Sequence, residues 1–226
     1  PIKSCGAFRV NTRWPLTRRG LKYDREWMIV QANGVAMTQK SDTKLCLIRP
    51  IINEKEDILE LNYPFTEPIR IPLYIDMSNN KTSSLMCQSK VCGDRIDGID
   101  CGDSVAEWLS DVLCTSGLRL IKQNVNDNRT IKNKSDKASE KQAISLSNQA
   151  QFLLINVTSV DWLAQKVEDW KELNEYNDNT FQNMIDRFRG NFIVETPEAL
   201  EELEWKSVRI GNVLLKIDGP CTRCQM

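Results

Sequence analysis

Two cysteines bracket an arginine in the run Gly219-Pro220-Cys221-Thr222-Arg223-Cys224-Gln225-Met226. The thiolate is the form of cysteine that binds a soft metal or accepts and passes on sulfur. A guanidinium one residue away lowers the thiol pKa and offers a fork for phosphate. Three further segments combine a cation with small polar groups: Pro1-Ile2-Lys3-Ser4-Cys5, Tyr23-Asp24-Arg25-Glu26-Trp27 and Phe188-Arg189-Gly190-Asn191. Taken singly, each is the ordinary solvated ion pair of a protein surface. Taken together, Lys3, Arg25, Arg189 and Arg223 stand beside expected strand ends, from which a β-barrel could gather them around one phosphate-bearing ligand.

The chemistry is narrowed by an absence, for the 226 residues include no histidine. That removes the usual general base, the Ser-His-Asp and Cys-His nucleophile systems and every zinc site that needs an imidazole. A Cys-x2-Cys pair is also half of a zinc site, but no second pair exists, so a closed tetrahedral site would have to draw on scattered cysteines. An inert or redox-active pair is the other reading of Cys221 and Cys224. There are eight cysteines, of which Cys46, Cys87 and Cys114 lie in apolar or helical contexts and read as packing residues.

Lysine plus arginine number 30 against 31 acids, a net charge of −1. The broad basic field that drives nucleic-acid binding is therefore missing, and any anion site must be local. No apolar run approaches the roughly 20 residues that span a bilayer, and no charged-then-apolar leader opens the sequence. A soluble cytoplasmic protein, not bound to membrane or nucleic acid, is expected. A hydrophobic share of 41% suffices for an ordinary core.

The elements that must position these residues are mostly strands. Alternation over Phe8 to Arg13, the apolar run Glu26 to Gln31 and the β-rich runs Leu45 to Ile52, Ile58 to Asn62 and Ile69 to Leu73 predict a small sheet or barrel. Asn33-Gly34 supplies the two positive-φ residues of a tight hairpin leading into Val35 to Thr38. A helix is predicted over Ser104 to Leu113, where Val105, Leu109 and Val112 or Leu113 share a face. From Gln123 to Gln142 the composition turns to Asn, Asp, Lys and Ser, too polar to offset ordering entropy, and reads as a mobile loop or linker. Beyond it come a strand at Phe152 to Val157, helices from Ser159 to Leu173 and over Phe181 to Phe188, and a strand at Phe192 to Glu195. A short helix begun by Pro197 follows, then strands Ser207 to Ile210 and Val213 to Ile217 turning at Gly211-Asn212.

The four cationic segments, with Pro1 to Phe8 and Gly20 to Met28 taken whole, resemble the C-terminal region of the eukaryotic molybdenum cofactor sulfurases, the insect members most of all. The likeness covers nearly the whole chain, in the right order. It implies an α+β, mainly β fold: a MOSC-type β-barrel preceded by a small β-barrel or sheet domain, with a few flanking helices. On that reading residues 1–122 form the MOSC N-terminal domain, 123–142 the linker and 143–226 the MOSC domain. Because the chain stops within a motif, that last domain is expected to be truncated.

The resemblance also implies a function. Full-length members carry an N-terminal pyridoxal-phosphate cysteine desulfurase module, which strips sulfur from cysteine as a persulfide. The C-terminal region holds the molybdenum cofactor, molybdopterin, while an oxo ligand on the metal is replaced by sulfido. Xanthine dehydrogenase and aldehyde oxidase are the acceptors. The desulfurase module, and with it pyridoxal phosphate, is expected in a part of the polypeptide outside this chain. By likeness to the amidoxime-reducing relatives on the same fold, Lys3, Ser4, Arg25, Arg189, Asn191, Thr222 and Arg223 are the expected cofactor contacts. Cys224 is the expected molybdenum ligand and, with Cys221, the catalytic pair. Gly-Pro before Cys221 and Gln225 after Cys224 depart from the reductase pattern. The alternatives are a molybdenum-dependent amidoxime-reductase-like oxidoreductase and a cofactor carrier without chemistry of its own.

Overall fold

A two-strand hairpin of β1 (Leu16–Thr17) and β2 (Gly20–Leu21) leads into β3 (Trp27–Val30), whose four residues are all buried. The structure, a computed structural model, describes residues 1–75, 86–91, 94–131, 142–168 and 180–221, with 86–91 and 94–95 described by backbone alone. Its residues divide into two units, Pro1–Gln151 and Phe152–Met226.

In the first unit the apolar run becomes a strand with two buried faces. Trp27 and Ile29 point into one cluster with Leu59, Leu61, Leu109, Leu113 and Leu120. Met28 and Val30 point into another with Ile96, Ile121 and Leu146. A strand covered on both sides reads as a continuous apolar run, because successive side chains alternate between faces. After β3 the expected hairpin forms, with Gln31 N donating to Val35 O and Met37 N to Ile29 O. Its turn differs from the expected one: Gly34 has a φ of 75°, whereas Asn33 keeps negative φ and accepts the Val35 N–H on Oδ1.

Leu45 to Ile52 is not one strand. Asp42 accepts from Lys44 N and caps a 3-10 turn over Thr43–Leu47, and strand β4 begins only at Arg49–Asn53. β4 pairs antiparallel with β5 (Ile58–Asn62), and β5 with β6 (Ile69–Pro72), giving a three-stranded sheet. Pro50 is tolerated because β4 lies at the edge. β7 (Met86–Val91), β8 (Asp94–Asp100), β9 (Arg119–Gln123) and β3 form a four-stranded antiparallel sheet in the order β3-β9-β8-β7. Helix α1 (Asp103–Leu113) buries the Val105, Leu109, Val112 and Leu113 face foreseen from its periodicity.

Phe8 to Arg13 forms no strand. Residues 9–13 are exposed, and Phe8 instead stacks on Trp14 with centroids 5.5 Å apart. Alternation is not enough where no neighbouring strand takes up the backbone hydrogen bonds. Cys46 and Cys114 are both exposed, against their expected packing role. Leu45 and Leu113, one residue earlier in each case, fill the core, and Cys114 occupies the left-handed cap of α1. The side chain of Cys87 lies outside the described residues. Within 123–142, Gln123 closes β9, Thr130 bridges to Ala143 and Arg129 is only 7% exposed.

In the second unit β10 (Leu154–Asn156) pairs in parallel with β11 (Phe192–Val194) across α2 (Val157–Ala164) and α3 (Thr180–Phe188). α2 starts two residues earlier than the periodicity implied because Asn156 is its cap, accepting from Thr158 N. The helix expected at Pro197 is a 3-10 turn over Glu201–Glu204. β12 (Ser207–Ile210) and β13 (Val213–Lys216) form the expected hairpin, with Gly211 at a φ of 59°. The described chain is thus α+β and mainly β, with three α-helices among its described residues.

The register of β4 on β5 gives a direct test. Ile52 and Leu59 are cross-strand partners turned inward, whereas Ile51 is 46% exposed. Leu59→Ala is expected to lower unfolding free energy by about 2–5 kcal/mol, while Ile51→Ala changes it by under about 0.5 kcal/mol. Urea denaturation of the two variants beside the parent chain measures both.

Candidate functional site

The first two cationic segments meet inside the first unit. Ile2 bridges Trp27 in parallel, Trp27 N donates to Pro1 O at 3.3 Å and Lys3 N to Trp27 O at 2.7 Å. The chain start therefore runs beside the Tyr23–Trp27 turn. A third segment binds both: the Lys3 ammonium donates to Leu146 O at 2.8 Å, and Leu146 N donates to Arg25 O at 3.0 Å. Lys3 also donates to Asn148 Oδ1 and is only 8% exposed. Two of the three donors of that ammonium therefore organise the loop 146–148.

Arg25 forms an ion pair with Asp24 at 2.6 Å, both side chains being largely buried. The turn holds Tyr23 at a φ of 67° and Arg25 at 50°, and Ser4 beside it stands at 67°. Such backbone costs a non-glycine residue about 1–2 kcal/mol. Around the turn, Tyr23 N donates to Glu26 Oε1 at 2.8 Å, and Gln39 Nε2 holds Ser4 O at 2.9 Å. Burial pushes the Tyr23 phenol up to about 12.

Arg189 and Asn191 lie together on one loop of the second unit. Arg189 ends α3 in the left-handed conformation, φ 58°, with its N–H on Asp186 O. That position usually holds glycine. The next residue is glycine for a different reason, since a Cβ on Gly190 would stand 2.5 Å from Ile155 Cγ1. Asn191 then locks onto β10, its Oδ1 accepting from Leu153 N at 3.0 Å and its N–H donating to Leu153 O at 2.7 Å. The loop is thus held against β10 by backbone and side chain together. Cys221 is exposed. Thr222, Arg223 and Cys224 lie outside the described residues.

Sequence reasoning missed three buried polar side chains, Arg129 and Lys122 in the first unit and Asn156 in the second. Arg129 donates through Nη1 to Ser145 O and, at 2.6 Å, to Ser147 O, so that it and Lys3 clamp the same loop. Its setting in a polar run gave no periodic signal. Asn156, 1% exposed, donates to Thr196 Oγ1 at 2.7 Å and Glu202 Oε2 at 2.8 Å while capping α2, and Ser159 joins it on Glu202 at 2.9 Å. An asparagine just ahead of a helical pattern is a legible cap signal. Lys122, on β9, donates to Leu73 O and lies over the rings of Trp27 and Tyr74. Burial holds its ammonium below the usual lysine range.

The arrangement of these segments along the chain coincides with known domains. The MOSC N-terminal beta barrel domain matches residues 1–116, and the MOSC domain matches residues 141–226. The chain belongs to the MOSC family. Along its full length this MOSC chain is 54% identical to molybdenum cofactor sulfurase 3 of Aedes aegypti, 50% to the molybdenum cofactor sulfurase of Bombyx mori and, over 228 aligned residues, 45% to that of Drosophila melanogaster. It spans 28%, 27% and 26% of the length of those relatives, a C-terminal region of them. A solution structure of a Bordetella bronchiseptica protein covers 52% of the chain at 19% identity, with a TM-score of 0.38. No helix among the described residues is long and apolar enough to cross a membrane.

Two measurements test this geometry. Gly190→Ala should destabilise the second unit by about 1–3 kcal/mol through overlap with Ile155. A double-mutant cycle with Ile155→Ala should recover part of that loss, because the overlapping Cγ1 is then gone. Lys122→Met bears on the buried amine. Between its lowered folded value and the ordinary lysine value of about 10.4, the unfolded chain binds the proton and the folded chain does not, so parental stability rises with pH. The melting temperature of Lys122→Met relative to the parent is therefore expected to be highest near neutral pH and to fall as pH approaches about 10. Paired thermal melts by circular dichroism read the difference.

Proposed function

We propose that the chain is the cofactor-binding C-terminal part of a molybdenum cofactor sulfurase. In this reading it holds molybdopterin while a terminal sulfido ligand is installed on molybdenum for xanthine dehydrogenase and aldehyde oxidase. The observation that carries it is backbone strain at the described cationic motifs. Ser4, Tyr23, Arg25 and Arg189 all take positive φ although none is glycine. Such backbone recurs at functional sites, and because Asp57, Phe65, Cys114 and Leu200 also take positive φ, it supports the reading only together with the cationic motifs in which these four residues stand. The ligand is the molybdenum cofactor after which the relatives are named.

The donor set suits such a group. A pterin cofactor brings its own sulfur ligands to the metal and a phosphate at its far end, so the protein need supply only cations, polar groups and one soft ligand. Lys3, Arg25, Arg189 and Arg223 would hold the phosphate. Ser4, Asn191 and Thr222 would line the pterin, and Cys224 would ligate molybdenum. When bound, the cofactor supplies the metal centre at which oxo is exchanged for sulfido. In this reading the exposed thiol of Cys221 takes part in the delivery of sulfur. In this reading residues 1–122 are the MOSC N-terminal part and residues 143–226 the MOSC part. Cysteine desulfurase activity and pyridoxal phosphate belong to the N-terminal module outside this chain, which would act as its partner in the same polypeptide.

Two sets of variants test the reading. Cys224→Ser replaces a soft, easily ionised sulfur with a hard alcohol, and should lose bound molybdenum while Cys221→Ser retains it. Metal and pterin are measured together on the purified chains. Equal retention in both variants would remove Cys224 from the metal. Sulfido transfer to desulfo xanthine dehydrogenase, assayed beside reduction of an N-hydroxylated substrate, separates the sulfurase from an oxidoreductase. Arg189→Gly relieves the left-handed backbone. It should raise the stability of the second unit by about 1 kcal/mol while weakening cofactor retention about tenfold or more. Unchanged retention would make Arg189 a helix cap only.

A further inference from the structure

Two stretches of opposite charge, one in each unit, stand out in a chain whose net charge is −1. From Arg9 to Lys22 the sequence carries Arg9, Arg13, Arg18, Arg19 and Lys22 and no acid. From Glu195 to Glu204 it carries Glu195, Glu198, Glu201, Glu202 and Glu204 and no cation. A charge run by itself is an ordinary solvated face. Here each run is pinned to its own unit and interleaved with exposed apolar residues.

The basic stretch is held at several points. Trp14 stacks on Phe8 and donates through Nε1 to Lys22 O at 2.8 Å, and Lys22 N donates to Pro15 O at 2.9 Å. Two of its cations are used internally: Arg19 donates to Val125 O and Asp127 O at 2.8 Å each, and Lys22 pairs with Glu54 at 2.6 Å. Residues 9–13 and 15–18 are left exposed, with Val10 38% and Leu16 49% accessible among the arginines. Arg13 and Arg18 make no ion pair among the described residues.

The acidic stretch is held in the same manner. Asn156 Nδ2 donates to Thr196 Oγ1 at 2.7 Å and to Glu198 O at 3.3 Å. Leu200 N donates to Ser159 Oγ at 2.8 Å, and that hydroxyl donates to Glu202 Oε2 at 2.9 Å. Glu195, Glu198 and Glu204 stay exposed, with Leu203 56% accessible among them. None of the three makes an ion pair among the described residues.

We propose that the two stretches dock on each other between copies of this chain, the basic stretch of one copy on the acidic stretch of the next. Their signs are complementary, and Val10, Leu16 and Leu203 supply apolar surface to bury beside the ion pairs. Pinned segments lose little conformational freedom on docking, which removes a main cost of association. Because the two surfaces differ, the contact is head-to-tail and runs on from copy to copy unless a ring closes. The inference does not depend on the cofactor reading, and either can fail without the other.

The test is sedimentation equilibrium of the full chain at about 100 µM, in about 20 mM and about 500 mM NaCl, since salt screens exposed charges. The average mass should exceed that of one chain at low salt, and the apparent Kd should weaken about tenfold or more at high salt. One variant combines Arg13→Glu with Arg18→Glu, and a second combines Glu198→Lys with Glu204→Lys. All four positions are exposed, so both variants should fold, as circular dichroism checks. Each variant alone should sediment as a monomer. Mixed in equal amounts they should form a one-to-one complex, because one retains the acidic stretch and the other the basic stretch. A parent chain that is monomeric at low salt overturns the proposal, whether or not it binds a polyanion such as heparin. So does association that persists in either variant alone, or a pair of monomeric variants that fail to associate on mixing.

Discussion

Strand β3 is the constraint on which the first unit rests. Both of its faces are buried, so both of its backbone edges must be satisfied by protein and not by water. β9 supplies one edge, pairing Trp27 with Lys122 and Val30 with Arg119. The chain start supplies hydrogen bonds on another side, through Pro1 O and Lys3 N on either side of the Ile2 bridge to Trp27. This requirement carries Lys3 and Ser4 to the Arg25 turn, although 20 or more positions separate them in the chain. Burial of a strand is thus what gathers the first half of the cationic set.

The same burial explains the polar exceptions. Lys3, Arg129 and Lys122 are all under a tenth exposed, and each gives donors to main-chain carbonyls. Lys3 and Arg129 tie the loop 145–148 to the sheet. Lys122 does the same for the end of β6, holding Leu73 O. Cations are costly to bury, and long side chains that reach a carbonyl reduce the cost while leaving the stem in apolar surroundings. Positive charge therefore enters this near-neutral protein as part of its framework before it acts on any ligand.

In the second unit the controlling feature is a pair of close contacts. Gly190 lets the α3 exit pass against Ile155, and Asn191 locks that exit to the start of β10. Arg189 is held at the head of the turn in a conformation glycine would take more cheaply. Stability and side-chain identity pull in opposite directions there.

The sequence by itself determined the features that depend on neighbours in the chain. α1 was legible because four apolar residues return at helical spacing, β5 and β6 because β-rich runs are bounded by turn residues, and the last hairpin because Gly211 permits positive φ. The motifs were legible from residue type alone, and their order pointed to the family. What only the tertiary structure decided depends on residues far away. β8 hides in Asp94-Arg95-Ile96-Asp97-Gly98-Ile99-Asp100, where charges mask the alternation, and β9 ends in a lysine that no local rule would bury. Phe8 to Arg13 has the pattern of a strand but no partner to pair with. Arg129 looked like part of a polar linker until its carbonyl partners, 16 and 18 positions on, came into view. Local propensity is written along the chain, whereas hydrogen-bond satisfaction and burial are settled between segments, and those two requirements positioned Lys3, Arg25 and Lys122.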